Sequence, residues 1–498
     1  MADLMRVGGL ASGMNTDEIV TQLMNAERIP LNKMERDKTW LTWQRDAYRD
    51  VNKQLLDFKT KSLEMNYASS YNSKLTSSTN ENVATATASS GAGNGKYNIN
   101  VTQLADAAYK VSDNSISQAG NKIDASGKLS DQSFKTPFSE GKFTIKTYGK
   151  DGEKSVEFEV TNDKSLNDIM KEINDADLGL RAFYEKSSDK IMIERTETGN
   201  FNTSGNEIEF SGSNSAFLTD TLGLTTETGG NDAKFSYNNG ALDITSNDNS
   251  YTLNGVTFNF QSTGSTTIDV SSDVDTALQN VKDYVESYNK IVEDLNEQVA
   301  QRKNRDYSPL TEKEKEGMEE KQIELWEEQA KKGLLYSDSV IQNGLSNMRT
   351  QWYSQVNTSG KFDLIADIGI TTSKNFRDGG KLEIDEEKLR EALTEDPASV
   401  QKLFTGEGNV KGLTDKLRDT VNSTTDAIER KAGNVSSGPE SYTIGENIVD
   451  LQDEMDEFQN RLNKIEDRYW SQFTEMEKAI QKMNSQSQQI ASFGFSNY

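Results

Sequence analysis

The spacing of apolar positions changes twice along this chain, from helical to alternating and back. Asn15 can cap a short helix, Glu18 three residues on completes a capping box, and Ile19, Val20, Leu23 and Met24 then share one face. After Pro30 a longer amphipathic helix is predicted from Leu31 to about Met65, with Met34, Leu41, Tyr48 and Leu55 seven apart and Val51, Phe58 and Met65 beside them. Near Thr76 the composition turns to Ser, Thr, Asn and Gly. There Tyr97, Ile99 and Val101 point one way and Asn98 and Asn100 the other, the period of a strand. Phe143 and Ile145, a turn at Asp151-Gly152, then Val156, Phe158 and Val160 read as a hairpin. A small helix capped by Ser165 follows at Leu166, Ile169, Met170 and Ile173, ahead of strands around Phe183 and Ile191 to Ile193. Tyr251 and Leu253, an Asn254-Gly255 turn, and Val256, Phe258 and Phe260 give a second hairpin.

Helical spacing resumes at Asp275 and runs through Leu278, Val281, Val285, Tyr288, Ile291, Val292 and Leu295 towards Arg302. A charged helix is predicted from Thr311 to Lys332, anchored by Ile323 and Trp326. Ile365 to Phe404 reads as a short strand, a turn at Gly379-Gly380, a second strand at Leu382 and Ile384, and a helix from Asp385. The last segment is the most periodic. From Ile448 to Phe493 a three-four alternation passes through Leu451, Met455, Phe458, Leu462, Ile465, Tyr469, Gln472, Met476, Ala479, Met483, Gln486 and Ile490, a coiled-coil seam about 70 Å long. Periodicity alone fits an intramolecular helix pair and a contact between copies equally. Gln472 and Gln486 fit a register-setting role or simple exposure to water.

The expected fold class is therefore α+β and multidomain: long terminal helices form a coiled-coil leg and a helical base, and β-rich head domains are inserted between them. The expected boundaries are 1–44 with 448–498 for the leg, 45–106 with 273–447 for the base, 107–137 with 227–272 for a first head domain, and 138–226 for a second. The seam positions are Met34, Leu41, Tyr48, Leu55, Leu451, Met455, Phe458, Leu462, Ile465, Tyr469, Met476 and Met483.

Composition narrows the chemistry. The 498 residues exceed a single core, and a net charge of −25 argues against nucleic acid and anionic lipid as partners. With no cysteine and no histidine, disulfides, thiolate nucleophiles, imidazole bases and Cys or His metal sites are excluded, leaving carboxylate chemistry, a Ser-Lys pair or an all-oxygen cation site. Gly8, Gly9 and Gly13 carry no phosphate-loop pattern, and Asp385-Glu386-Glu387 suits a helix N-terminus without any metal. No apolar stretch is long enough for a membrane span, and no cleaved signal is expected. Residues Arg28 to Lys61 are net +4 and Ile444 to Arg468 net −5, so the two rods are expected to pair partly through opposite charge.

The run Gly9-Leu10-Ala11-Ser12-Gly13-Met14, followed by Ile19, Val20, Leu23, Met24, Ala26, Glu27, Pro30 and Leu31, resembles the N-terminus of flagellar filament cap proteins, also called hook-associated protein 2. Ile444-Gly445, Gln472-Phe473-Thr474, Met476-Glu477 and Asn484-Ser485-Gln486-Ser487 are similar to that family's C-terminal segment. The resemblance implies a non-enzymatic protein with no cofactor, which assembles into a plate at the distal tip of the filament, usually five-fold, and promotes folding and insertion of exported flagellin. It implies filament contact by Leu10, Met14, Ile19, Val20, Leu23 and Met24. Partners implied with it are flagellin, hook–filament junction proteins and a type III export chaperone, and the implied location is extracellular, reached by the flagellar type III route. An alternative is a surface adhesin whose β head binds a glycan or host protein, which would need exposed aromatics such as Tyr237 or Tyr251 on a groove.

Overall fold

The computed structural model describes residues 13–494, which divide into two compact units: one is residues 72–274, and the other is built from the chain before and after it. The helices are α1 (Thr16–Glu27), α2 (Ile29–Glu64), α3 (Leu166–Asp175), α4 (Val274–Ala300), α5 (Glu312–Lys315), α6 (Glu320–Ala330), α7 (Ser339–Trp352), α8 (Glu386–Glu395), α9 (Pro397–Thr405), α10 (Leu413–Ala432) and α11 (Thr443–Gly494). The strands of the first unit are β1 (Lys74–Ser78), β2 (Ala84–Ala88), β3 (Gly95–Gln103), β4 (Ala107–Val111), β5 (Gly141–Gly149), β6 (Gly152–Val160), β7 (Leu180–Glu185), β8 (Lys190–Thr198), β9 (Ile208–Ser211), β10 (Glu227–Thr228), β11 (Ala233–Tyr237), β12 (Leu242–Ser246), β13 (Ser250–Leu253), β14 (Val256–Phe260) and β15 (Gly264–Ser272). The helical unit adds two short ladders, β16 (Ile370–Thr372) with β17 (Leu382–Ile384) and β18 (Gly406–Glu407) with β19 (Val410–Lys411).

In the helical unit, the second half of α2 packs with α4, α7, α9 and α10 around an aromatic core. Phe58 stacks on Tyr284 at 5.3 Å, Trp352 lies 5.8 Å from Tyr284 and 5.2 Å from Tyr288, and Tyr71 meets Phe404 at 5.4 Å. Such ring pairs add to area burial because edge and face carry opposite partial charge. The sequence reading gave no element over α7 or α10, yet α10 packs along both α2 and α7. Its buried face includes Thr414, Thr420, Thr424 and Thr425 beside Leu417, Val421 and Ile428. These threonines are satisfied locally: Thr424 Oγ1 donates to Thr420 O at 2.8 Å and Thr414 Oγ1 to Phe404 O at 2.8 Å.

The charged helix predicted from Thr311 to Lys332 is two helices. Thr311 and Glu314 form one capping box, the chain breaks at Gly317, and a second capping box at Glu319 and Gln322 starts α6.

In the β unit, a five-stranded antiparallel sheet, β1-β15-β3-β11-β12, and the sheet β13-β14-β2 enclose a core of Tyr97, Ile99, Val101, Phe235, Phe258 and Ile268 among others. A second core lies within residues 116–224 and is covered by α3, whose Leu166, Ile169, Met170 and Ile173 are all buried as expected. Ser165 and Asp168 form the capping box at its start. The Asn254-Gly255 turn has φ of 50° and 80°, which lets Leu253 pair directly with Val256. The other hairpin turns one residue earlier than expected, with Gly149 opposite Gly152.

These sheets move two expected boundaries. Residues 72–106, assigned to the base, hold β1 to β3, which pair with β15 and β14 in the β unit. Residues 107–137, assigned to the first head domain, contribute β4, paired with β8, and Ile116, Ile123, Leu129 and Phe134 to the core grouped around α3. Alternation alone identifies strands and not their partners, so a strand next to a helix in sequence was joined to the wrong core.

Three asparagines stand in for missing strand partners. Asn174 on α3 bonds both N and O of Ala182 at 2.6 and 2.9 Å, Asn249 does the same for Ala105 at 2.7 and 2.8 Å, and Asn289 on α4 for Leu382 at 2.7 and 2.8 Å. A carboxamide has the donor and acceptor spacing of a peptide group, so Asn174 and Asn289 each pair a strand residue without adding a strand, and Asn249 does the same for the connection between β3 and β4.

Trp352→Ala is expected to destabilise the helical unit by about 3–5 kcal/mol, and Phe143→Ala the β unit by a similar amount. Calorimetry with hydrogen exchange should assign each loss to its own unit; protection lost equally in both units in either variant would contradict the division.

Candidate functional site

The candidate site is formed by the terminal helices. Asn15 caps α1 as read from the sequence: Glu18 N donates to Asn15 Oδ1 at 3.3 Å, while Glu18 Oε2 accepts from the Asn15 side-chain amide at 3.1 Å. α1 and the start of α2 then lie against the middle of α11. Val20, Met24 and Leu462 are buried there, ringed by Leu31, Phe458, Ile465, Tyr469, Trp470 and Phe473. The Tyr469 hydroxyl donates to Glu27 Oε1 at 2.9 Å, which raises its pKa, and Lys38 Nζ bonds Gln452. The long seam is thus an intramolecular helix pair over this stretch.

It does not continue as one. Residues 481–490 are exposed throughout, with Met483 60% and Ile490 73% accessible. At the other end of the chain Met14, Leu23 and Ile29 are 36%, 37% and 65% accessible. The face shared by Ile19, Val20, Leu23 and Met24 therefore splits, with Val20 and Met24 inward, Ile19 half-buried and Leu23 outward. Leu10 and the Phe493 side chain lie outside the described residues.

Two of the seam positions belong elsewhere. Tyr48 and Leu55 are buried on the part of α2 that packs on α10, not against α11. The Tyr48 hydroxyl donates to Asp338 Oδ2 at 2.6 Å, and Lys431 Nζ donates to the same oxygen at 2.6 Å and to Tyr48 at 2.9 Å. Asp338 also caps α7 through Val340 N and Ile341 N, both at 3.0 Å. Burial alone would push the Asp338 carboxyl up, but Lys431, Tyr48 and the cap bonds outweigh it and hold the carboxyl below its ordinary value. Burial and the same carboxylate push Tyr48 up to about 12. Met34, Leu41, Leu451, Met455 and Met476 are half-buried. Among positions on the strict alternation Gln472 and Ala479 are exposed, whereas Phe473 and Ile480 beside them are half-buried. A straight helix of 3.6 residues per turn drifts by about 20° per heptad, so its apolar stripe leaves a strict seven-residue seam after a few turns.

The expected charge pairing of the rods is not made within the subunit. Among the described residues the ion pairs of α2 run to α5, as Arg36–Glu314 at 2.6 Å, or stay within α2. The aromatics expected of an adhesin are also committed: Tyr237 lies 6.0 Å from Tyr97 and Tyr251 lies 5.3 Å from Phe235, both half-buried against the core. Among the described residues no group of three or more His, Cys, Asp or Glu could hold a metal ion, and no helix is long and apolar enough to cross a membrane.

Sequence comparison decides the family. A model described as "Flagellar hook-associated protein 2 C-terminus" matches residues 230–485, and one described as "Flagellar hook-associated protein 2 N-terminus" matches residues 12–108. The chain belongs to the flagellar hook-associated protein 2 family. It is 37% identical to flagellar hook-associated protein 2 of Halalkalibacterium halodurans, over 98% of this chain and 99% of that one. Flagellar hook-associated protein 2 of Salmonella typhimurium is 26% identical over 96% of each. In fold, the chain is similar to the flagellar cap protein FliD D1-D2-D3 domains from Escherichia coli, with a TM-score of 0.58, 22% identity, and coverage of 77% of this chain and 99% of that one.

Within this family framework the sequence reading missed Asp338 and Lys431. The available signal was Asp338 one residue before a helical stretch, at a capping position.

Two outcomes follow from the geometry. Leu462→Ala should raise hydrogen exchange in α1 and in residues 458–473 while leaving the Trp352 core protected, because Leu462 is fully buried in the terminal-helix core alone. Since the Asp338 carboxyl titrates below its ordinary value when folded, its stabilisation is present above that ordinary value, about pH 3.9, and is lost as pH falls through the folded value. Asp338→Asn should therefore lower stability by about 1–3 kcal/mol at neutral pH, with the difference from the parent chain closing in acid; a pH-independent difference in denaturant midpoints would refute this.

Proposed function

We propose that this chain is a structural, non-catalytic cap at the distal tip of the bacterial flagellar filament, which assembles with copies of itself into a plate of about five subunits. Under it, exported flagellin folds and inserts instead of escaping. The observation that carries the reading is the set of exposed apolar positions on the terminal helices: among the described residues Met483 and Ile490 on α11 are 60% and 73% accessible, and Leu23 and Ile29 at the other end of the chain 37% and 65%. Exposed large apolar groups in line on a helix suit docking to a neighbouring helix, by the same burial that holds Val20 against Leu462. Flagellin is the partner this reading assigns to the stripe, and a flagellar export route without a cleaved signal is the path it assigns to the chain. Hook–filament junction proteins and an export chaperone are further contacts on the same reading. A charge of −25 per copy opposes self-association, so assembly should strengthen as salt screens it.

Replacing Met483 and Ile490 together by Asp tests the proposal. Both side chains are exposed, so the subunit should keep its unfolding temperature. Filament growth should fail in cells that make only this variant, with flagellin recovered from the medium. Filaments of normal length would overturn the assignment of the stripe.

A further inference from the structure

The Ile444-Gly445 motif in the first turn of α11 is not explained by docking, because it lies at the far end of the helix from the exposed stripe. Its surroundings explain it. The ring of Tyr442, 5% exposed, fills the space where two glycines lack a side chain. A Cβ at Gly433 would stand 2.4 Å from Tyr442 Cδ1, and one at Gly445 would stand 2.6 Å from Tyr442 Cζ and 2.0 Å from Pro439 O. Gly433 ends α10 with φ of 63°, and Tyr442 O accepts from Glu446 N at 3.0 Å as α11 begins. One ring therefore touches the last turn of one helix and the first turn of the next.

The third side belongs to α2. The Arg49 guanidinium lies 5.5 Å from the centre of the Tyr442 ring and donates to its hydroxyl at 3.3 Å, while Arg49 Nε donates to Ala432 O at 3.1 Å. The connecting loop is bonded mainly to itself, through Asn434, Ser437 and Gly438 to Ser441, and its Val435 is 93% exposed. Beyond this point Lys38 bonds Gln452 across to α2, Leu451 and Met455 are half-buried, and α11 then reaches the Leu462 core.

We propose that Tyr442 is a positioning residue: wedged between Gly433 and Gly445 and held by Arg49, it sets the direction in which α11 leaves the end of α10 along α2. The glycines are present because a side chain at either would displace the ring. Over a helix of 52 residues, a few degrees at its root become several ångströms at the exposed stripe. The geometric claim stands without the capping reading; only its consequence for filament growth rests on it.

The cysteine-free chain accepts spin labels at Asp37→Cys on α2 and Asp453→Cys on α11, both exposed in the parent. Tyr442→Ala should broaden the label–label distance distribution by roughly twofold, as the direction of α11 becomes an ensemble. Tyr442→Phe keeps the ring and should retain the parent width, and Gly445→Ala should shift the mean distance. An unchanged distribution in both Tyr442→Ala and Gly445→Ala overturns the proposal, as does loss of cooperative unfolding of the helical unit in Tyr442→Ala, which would make the ring ordinary core. Filament growth measured on the same variants reports separately: normal growth beside a broadened distribution supports the positioning role and counts against the capping reading of the stripe.

Discussion

The structure of the helical unit depends on α2 serving two cores with one continuous helix. Its 36 residues span about 54 Å, too far for a single cluster of side chains to cover. The second half gives Val51, Leu55 and Phe58 to the core built with α4, α7 and α10. The first half meets α11 and α1 around Leu462. Between them lies the polar junction of Tyr48, Asp338 and Lys431, where each group is bonded to the other two. A partly buried network of this kind adds little net stability over an apolar one of the same shape, but removing one member leaves the others without their partners.

What was legible in the sequence follows from how each element is stabilised. α1, α2, α3, α4 and α11 bury aliphatic or aromatic residues at helical spacing, and were read within a few residues of their ends. The Asn254-Gly255 hairpin was read because its turn demands those residues. α10 was not read. Of its nine buried residues four are threonine and four are Leu, Val or Ile, so a scan for apolar period finds no helix, although Thr420 and Thr424 sit one turn apart on the buried side. The terminal-helix site was legible as a stripe and not as a division of labour. Tyr48 and Leu55 fit the same heptad as Met34 and Leu41, and only the packing of α10 separates them.

Charge was the weakest guide. The opposite signs of α2 and the first half of α11 are real in the sequence, yet the two helices meet through Leu31, Phe458 and Ile465, with Lys38 bonding an amide and not a carboxylate. Solvated carboxylates on α11 keep their water, because an exposed ion pair returns at most about 1 kcal/mol for ordering two side chains. The edges of the sheets are governed by a different economy of groups. Asn174, Asn249 and Asn289 satisfy the backbone groups of Ala182, Ala105 and Leu382 that no strand pairs.

The sparseness of the outermost part of α11 also has a mechanical meaning. Between 481 and 490 only Met483 and Ile490 are large and apolar, set among Gln, Asn and Ser. Burying two such side chains yields roughly 3–6 kcal/mol before the losses of association, which is a feeble hold for one molecule. On the proposed reading, several such holds in parallel resist detachment together while each lets go and re-forms quickly, so an assembly gripping in this way can creep along a growing end without falling off it.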